Sequence, residues 1–341
     1  MHPSVLTAFD AILDARSPAE FAEDHVPGAQ SLPVLDDAER ARVGTIYKQV
    51  GTFQARRLGA ALVARNIACH LEAVLADRPR DWRPLVYCWR GGKRSASLAH
   101  VLREVGWDAR TLDGGYRAYR RGVVEQLATL PRGIRFRVVH GATGSGKSRL
   151  LRALARAGAQ VLDLEELAAH RGSVLGDLPD RPQPTQKLFE SHLYAELAAL
   201  DRARPVYVEG ESLKIGQLQV PQALIETMRG AECVLLEAAT AARVALLMEE
   251  YRHFFADPAA LGAQLDCLLR LHGRERVESW KALAARAAWE QLVERLLEEH
   301  YDPAYRRSAQ RNFPRLPQAQ VLRVAAADEA SFAGMARELA P

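Results

Sequence analysis

The chain of 341 residues is 48% apolar and 26% charged, which allows two domains with sizeable cores and excludes a disordered or fibrous protein. Its formal charge of +4, carried mostly by arginine, suits planar anionic partners such as phosphate or carboxylate without demanding a nucleic acid. Four cysteines, Cys69, Cys88, Cys233 and Cys267, form no C-x-x-C pair, so neither a disulfide framework nor a zinc pattern is present. The first residues carry Asp10 and Asp14 and no long apolar core, and no apolar run approaches the roughly 20 residues of a membrane helix. The expectation is a soluble, cytoplasmic, monomeric chain that enters no membrane. Cys69 and Cys267 fall in helical patterns and Cys233 in a strand-like run, where core packing is expected of each.

The first apolar run is Ala11-Ile12-Leu13. Ser17-Pro18-Ala19-Glu20 follows as a capping box with proline at the first helical position. His25-Val26-Pro27-Gly28-Ala29 reads as a turn into a short strand, and residues 36–77 are helix-forming with one polar face. Pro84-Leu85-Val86-Tyr87 reads as a buried strand. It ends in Cys88-Trp89-Arg90-Gly91-Gly92-Lys93-Arg94-Ser95, after which residues 96–105 form a helix with Ser95 as N-cap. Backbone N–H groups of such a loop favour negative charge, and Arg90, Lys93 and Arg94 add to it. A cysteine in this setting is expected to be stabilised as thiolate, which suits a nucleophilic sulfur that meets an anion. A further short strand, 109–112, turns out through Asp113-Gly114-Gly115. Strands alternating with helices predict a parallel α/β sheet, with chemistry at the carboxyl ends of its strands.

The pattern restarts near residue 130, giving domains of 1–130 and 131–341. Residues 134–140 alternate as a strand and run into Gly141-Ala142-Thr143-Gly144-Ser145-Gly146-Lys147-Ser148, with a helix from Arg149 onward. This is a G-x-x-x-x-G-K-S loop between strand and helix. The N–H groups of Gly141, Gly144, Ser145 and Gly146 would wrap phosphate oxygens, Lys147 adds a point charge, and Ser148 can hold Mg²⁺. Further strands are expected at 160–164, 205–209, 233–237 and 321–324. Glu209 or Glu211, at the end of the second of these, could act on Mg²⁺ like a Walker B acid; Glu209 is taken as the metal-facing one, with the choice open. Two long helices are expected, over about 258–272 and 279–300, and Arg306, Arg307, Arg311 and Arg315 form a basic tail.

Asp14-x-Arg16-Ser17-Pro18-x-Glu20-Phe21, His25-x-Pro27-Gly28-Ala29, Cys88 and Asp113-Gly114-Gly115 resemble a rhodanese domain, which carries sulfur or selenium on that cysteine as a persulfide or perselenide. The whole chain resembles the tRNA 2-selenouridine synthase family. Besides the two loops, the resemblance is carried by Glu39-Arg40-x-x-Val43-Gly44-Thr45-x-Tyr47-Lys48, Glu209-x-Glu211-Ser212-x-x-Ile215-Gly216 and Tyr301-Asp302-Pro303-x-Tyr305. Lys93 departs from the methionine expected there and keeps the loop basic. The resemblance implies an N-terminal rhodanese-like parallel-sheet domain followed by a P-loop NTPase-like α/β domain with a helical C-terminal part. It implies that wobble 2-thiouridine of tRNA is S-alkylated by geranyl diphosphate, and that selenium from selenophosphate then replaces the S-geranyl group. In that scheme Cys88 carries selenium, while Arg90, Gly91, Gly92, Lys93, Arg94 and Ser95 hold the donor anion. The P-loop residues and Mg²⁺ hold the diphosphate, and a selenophosphate-supplying enzyme is an expected partner.

Other classes remain open on the residues alone. Five residues separate Cys88 from Arg94, the spacing of a cysteine phosphatase loop. The chain could also join a rhodanese-type sulfurtransferase to an ATP-dependent kinase or ATPase, or be an RNA-binding module without activity.

Overall fold

The computed structural model describes residues 8–340, which divide into two compact units. The first unit comprises the chain through Leu127 together with Thr185–Ala199, and the second comprises Ala128–Pro184 and Leu200 onward.

In the first unit the order is β1 (Ala11–Asp14), α1 (Pro18–Glu23), β2 (Gln30–Ser31), α2 (Asp37–Gln49), α3 (Thr52–Ala73), β3 (Pro84–Tyr87), α4 (Lys93–Val105), β4 (Arg110–Thr111) and α5 (Gly115–Leu127). The strands form a parallel sheet in the order β2-β1-β3-β4. β3 is buried at every position, as expected for a parallel strand covered on both faces. Its apolar side chains meet those of α3 and α4 in a core containing Leu13, Val86, Leu98 and Leu102. The predicted helical stretch 36–77 is two helices, broken where Gly51 takes φ +153°.

The helix after the cysteine starts three residues earlier than predicted. Gly92 is its N-cap and Lys93 its first residue, so Ser95 lies inside the first turn and is not the cap.

The second unit opens with β5 (Phe136–Gly141), α6 (Lys147–Arg156), β6 (Gln160–Leu162) and α7 (Leu164–Ala168). The next helix, α8 (Gln186–Ala199), belongs to the first unit, where it packs on α5 through an Arg120–Glu190 ion pair. The second unit resumes with β7 (Val206–Glu209), the hairpin β8 (Lys214–Ile215) and β9 (Leu218–Gln219), α9 (Gln222–Arg229) and β10 (Glu232–Ala238). Helices α10 (Thr240–Glu250), α11 (Arg252–Ala256), α12 (Pro258–Asp266), α13 (Leu269–His272), α14 (Arg274–Ala285), α15 (Trp289–Leu296) and α16 (Asp302–Asn312) precede β11 (Gln320–Val324) and α17 (Glu329–Leu339). The sheet is parallel in the order β11-β10-β5-β7-β6, which puts the P-loop strand at its centre.

Further expectations are corrected by the structure. The strand expected over 160–164 stops at Leu162, because the Asp163 carboxylate accepts the Glu166 N–H at 2.8 Å and caps a new helix. The helix expected over 279–300 is interrupted where Ala287 takes φ +55°, and the one over 258–272 breaks after Asp266. Cys69 and Cys267 are exposed, so only Cys233 of the three packs in a core.

Candidate functional site

Cys88 stands at the carboxyl end of β3, on the floor of its loop. The residue is 3% exposed, while Trp89, Arg90, Gly92 and Lys93 above it are exposed. Its Sγ lies 3.1 Å from Ser95 Oγ, which donates to the Gly92 carbonyl at 3.1 Å. Ser95 is therefore a partner of the sulfur and is fully buried, not part of an anion-facing rim.

Glycines set the shape of this loop. Gly91, Gly114 and Gly115 adopt φ of +67°, +69° and +57°, a region L side chains rarely occupy. A Cβ on Gly115 would meet the Cys88 carbonyl oxygen at 2.2 Å and the Gly91 nitrogen at 2.4 Å. The Asp113-Gly114-Gly115 turn thus backs the cysteine loop directly, and Tyr116 N–H and Arg117 N–H donate to the carbonyls of Cys88 and Trp89 at 2.9 and 3.0 Å.

Beneath lies a buried polar network. Arg16 Nη2 donates to Asp14 Oδ2 at 2.6 Å and to the Asp24 carbonyl at 2.5 Å, and its guanidinium sits 3.9 Å over the Tyr116 ring. Tyr116 Oη donates to Asp24 Oδ2 at 2.6 Å. The ends of β1 and α1 and the first turn of α5 are locked together by these groups.

Arg94, expected at the donor anion, is engaged elsewhere: its Nη1 donates to Glu20 Oε2 at 2.6 Å, and Arg40 contacts the same oxygen at 3.0 Å. Arg90 and Lys93 remain the exposed cations of the loop.

In the second unit, the P-loop turns on Gly144 and Gly146 at φ +79° and +88°. A Cβ on Gly146 would strike the Phe332 ring of α17 at 2.3 Å, so the loop is packed as well as turned by glycine. Lys147 Nζ donates to the Gly141 carbonyl at 3.1 Å, lying back along the loop, and Ser148 Oγ donates to Glu165 Oε2 at 3.0 Å. Arg243 clamps the loop from α10: Nε donates to the Thr143 carbonyl at 2.9 Å, and the two Nη groups donate to Asp302 at 3.0 and 2.5 Å. Asp302 of the Tyr301-Asp302-Pro303 segment thereby acts on the P-loop through one arginine.

Four carboxyl groups, Asp163, Glu165, Glu209 and Glu211, gather beside Ser148. Glu209 Oε1 accepts the Glu165 N–H at 2.6 Å, and its Oε2 is buried with no partner. Burial, then the neighbouring Asp163, Glu165 and Glu211, holds Glu209 well above the usual carboxylate range. Burial and Glu165 push Glu211 up to about 8, and burial raises Glu165. His140, at the end of β5, is pushed down to about 4 by burial and by Lys147.

Buried carboxyl groups beside a P-loop serine, with Glu209 Oε2 unsatisfied, have the chemistry to hold a divalent cation. Among the described residues no three His, Cys, Asp or Glu side chains converge tightly enough to ligate a metal alone.

The P-loop opens into a cavity of about 810 Å³ that also receives Arg152, Glu211, Tyr251, Tyr301 and Tyr305. A second cavity of about 50 Å³, lined by Leu175, Phe254, Leu261, Trp289 and Leu292 among others, shares Thr143, Leu247, Tyr251 and Tyr301 with the first.

Sequence reading found both loops but not Glu165 or Arg243. Glu165 carried a signal in the Asp163-x-x-Glu166 capping pattern, which would have ended the strand early. Arg243 sits mid-helix in no motif, and only the fold brings it to Thr143.

Fold and sites define an α/β chain that joins a rhodanese-like unit to a P-loop unit. A rhodanese-like domain model matches residues 4–121, and the model of the tRNA 2-selenouridine synthase AAA domain matches residues 134–265. Similar proteins named tRNA 2-selenouridine synthase include one from Marinobacter nauticus, 33% identical over 86% of this chain and 87% of that protein, and one from Salmonella dublin, 34% identical over 89% and 90%. One from Nitrosomonas europaea is 37% identical over 70% of this chain, and the match spans 63% of that protein's length. The chain belongs to the tRNA 2-selenouridine synthase family.

No helix among the described residues is long and apolar enough to cross a membrane.

Proposed function

We propose that this protein is a transferase that replaces the sulfur of wobble 2-thiouridine in tRNA with selenium, in two steps. In the first, the sulfur attacks the C1 carbon of geranyl diphosphate; the carbon–oxygen bond breaks and diphosphate leaves with the electron pair. The N–H groups of Gly144–Lys147 and the Lys147 ammonium take up the charge that develops on it. Mg²⁺, held by Ser148 with Glu165, Glu209 or Glu211, would supply further neutralisation when bound.

The observation that carries this reading is the apolar cavity that shares Thr143, Leu247, Tyr251 and Tyr301 of its wall with the P-loop cavity. A nucleotide triphosphate has no use for it, whereas a diphosphate with a hydrocarbon tail does.

In the second step, selenium derived from selenophosphate displaces the geranylthiolate from C2. Cys88 carries it as a perselenide, with Arg90, Lys93 and the N–H groups around Gly91 and Gly92 on the donor anion. Perselenide selenium is two electrons more oxidised than that of selenophosphate. Loading with release of phosphate therefore needs a disulfide-type acceptor, and discharge to C2 consumes a thiol.

The phosphatase alternative needs Arg94 for phosphate, and Glu20 already occupies that guanidinium.

The test is incubation of the pure protein with thiolated tRNA, geranyl diphosphate and selenophosphate, omitting each in turn, with mass spectrometry of the nucleosides. Lys147→Ala is expected to abolish S-geranyl product, and Cys88→Ala to geranylate without installing selenium. Normal geranylation by the first variant, or normal selenation by the second, would overturn the assignment of that step.

A further inference from the structure

Helices α2 and α3 form a hairpin that the first unit uses for little of its own packing. No residue of α2 is buried, and α3 buries only Ala55, Leu62 and Ile67. The hairpin is anchored at one end: Asn66 Nδ2 donates to the Val34 carbonyl at 3.1 Å and to Glu39 Oε2 at 2.7 Å, and His70 Nε2 lies 2.8 Å from the Pro33 carbonyl. The other end carries the turn at Gly51, with Tyr47, Val50 and Phe53 exposed by 56%, 64% and 71%.

A helix of 13 residues that buries none of them gains little from this fold by itself. Its charge says what it is built to meet. From Arg40 to Leu71 the chain carries Arg40, Arg42, Lys48, Arg56, Arg57 and Arg65 and no aspartate or glutamate. Of these only Arg40 has a carboxylate partner, Glu20, among the described residues. A surface this free of carboxylates attracts a polyanion, and arginine favours phosphate. Two aromatic rings held in solvent at the tip, next to these cations, are a platform for unstacked bases. A folded protein partner would ask for acidic surface and a larger apolar patch.

We infer that the α2–α3 hairpin is the docking element for RNA, with Arg56 and Arg57 on the phosphate backbone and Tyr47 and Phe53 against the bases of a single-stranded loop. This rests on the tRNA reading above and assigns a surface to it. Because the hairpin is anchored only at its base, it can reach a stem-loop without disturbing the sheet that holds Cys88.

The experiment measures binding of bulk bacterial tRNA to the full-length protein by fluorescence anisotropy across a range of salt. Two variants are compared with wild type, Arg56→Glu/Arg57→Glu and Tyr47→Ser/Phe53→Ser. All four side chains are exposed, so melting temperature and binding of inorganic pyrophosphate should be unchanged in both. The charge-reversal variant is expected to bind at least about tenfold more weakly, with a slope of log K against log salt shallower by about two, near one unit per lost phosphate contact. The aromatic variant is expected to lose affinity several-fold with the slope retained. Wild-type affinity and slope in both variants would overturn the docking assignment and leave the tRNA reading standing. A wild-type protein that binds phosphatidylglycerol vesicles through these residues and no tRNA would overturn both.

Discussion

Gly115 and Cys88 are pressed backbone to backbone: a Cβ at position 115 would stand 2.2 Å from the Cys88 carbonyl oxygen. The loop that holds the sulfur is thus shaped from behind by a turn 27 positions later in sequence. Its conformation depends on that turn as much as on its own glycines.

Gly115→Ala is accordingly expected to destabilise the first unit by about 2–4 kcal/mol, from the left-handed backbone and the contact together. Gly92→Ala, where nothing lies within 4 Å, should cost about 0.5 kcal/mol or less. Thermal unfolding of both variants checks this, with pyrophosphate binding as the control for the second unit. Equal melting temperatures would show that the two loops are not in register as described.

The carboxyl cluster makes stability depend on pH. Glu211 in the folded protein holds its proton to about 8, whereas in the unfolded chain it ionises near its ordinary value of about 4.3. Between these limits the folded state binds the extra proton, so stability falls as pH rises through the window. Without divalent cations, wild-type melting temperature should drop between pH 5 and pH 8 by more than that of Glu211→Gln. Mg²⁺ with pyrophosphate should restore most of the difference. Parallel curves for the two proteins would remove Glu211 from the cluster's proton balance.

Arg243 uses three nitrogens at once, one on Thr143 and two on Asp302. A lysine there keeps the charge and loses the fork. Arg243→Lys is expected to weaken pyrophosphate binding about tenfold by calorimetry, at a stability cost of about 1–3 kcal/mol. Unchanged affinity would mean that the P-loop holds its shape without the clamp.

Much of this molecule could be read from its residues because the strongest signals are local. β3 and β7 are short apolar runs and β5 an alternating one; they lead straight into Cys88, Glu209 and the P-loop, and each is a largely buried parallel strand. What escaped was set by contacts distant in sequence or by weak local cues. The break at Ala287 has neither glycine nor proline to mark it. Ser95 looked like a cap because hydroxyl residues usually cap, yet Gly92 takes that place and frees the hydroxyl for the sulfur. The pairing of Arg94 with Glu20 spans 74 positions, beyond any local pattern.

Helix α8 is a piece of later sequence lodged in the first unit. The polypeptide therefore passes between the units three times, near residues 127, 184 and 199. Proteolytic nicking of one passage leaves the halves covalently joined. A fragment stopping near residue 130 would strip Arg120 of Glu190 and Glu23 of Lys187. Chimaeras that exchange the sulfur-bearing half between relatives should carry residues 185–199 along with it.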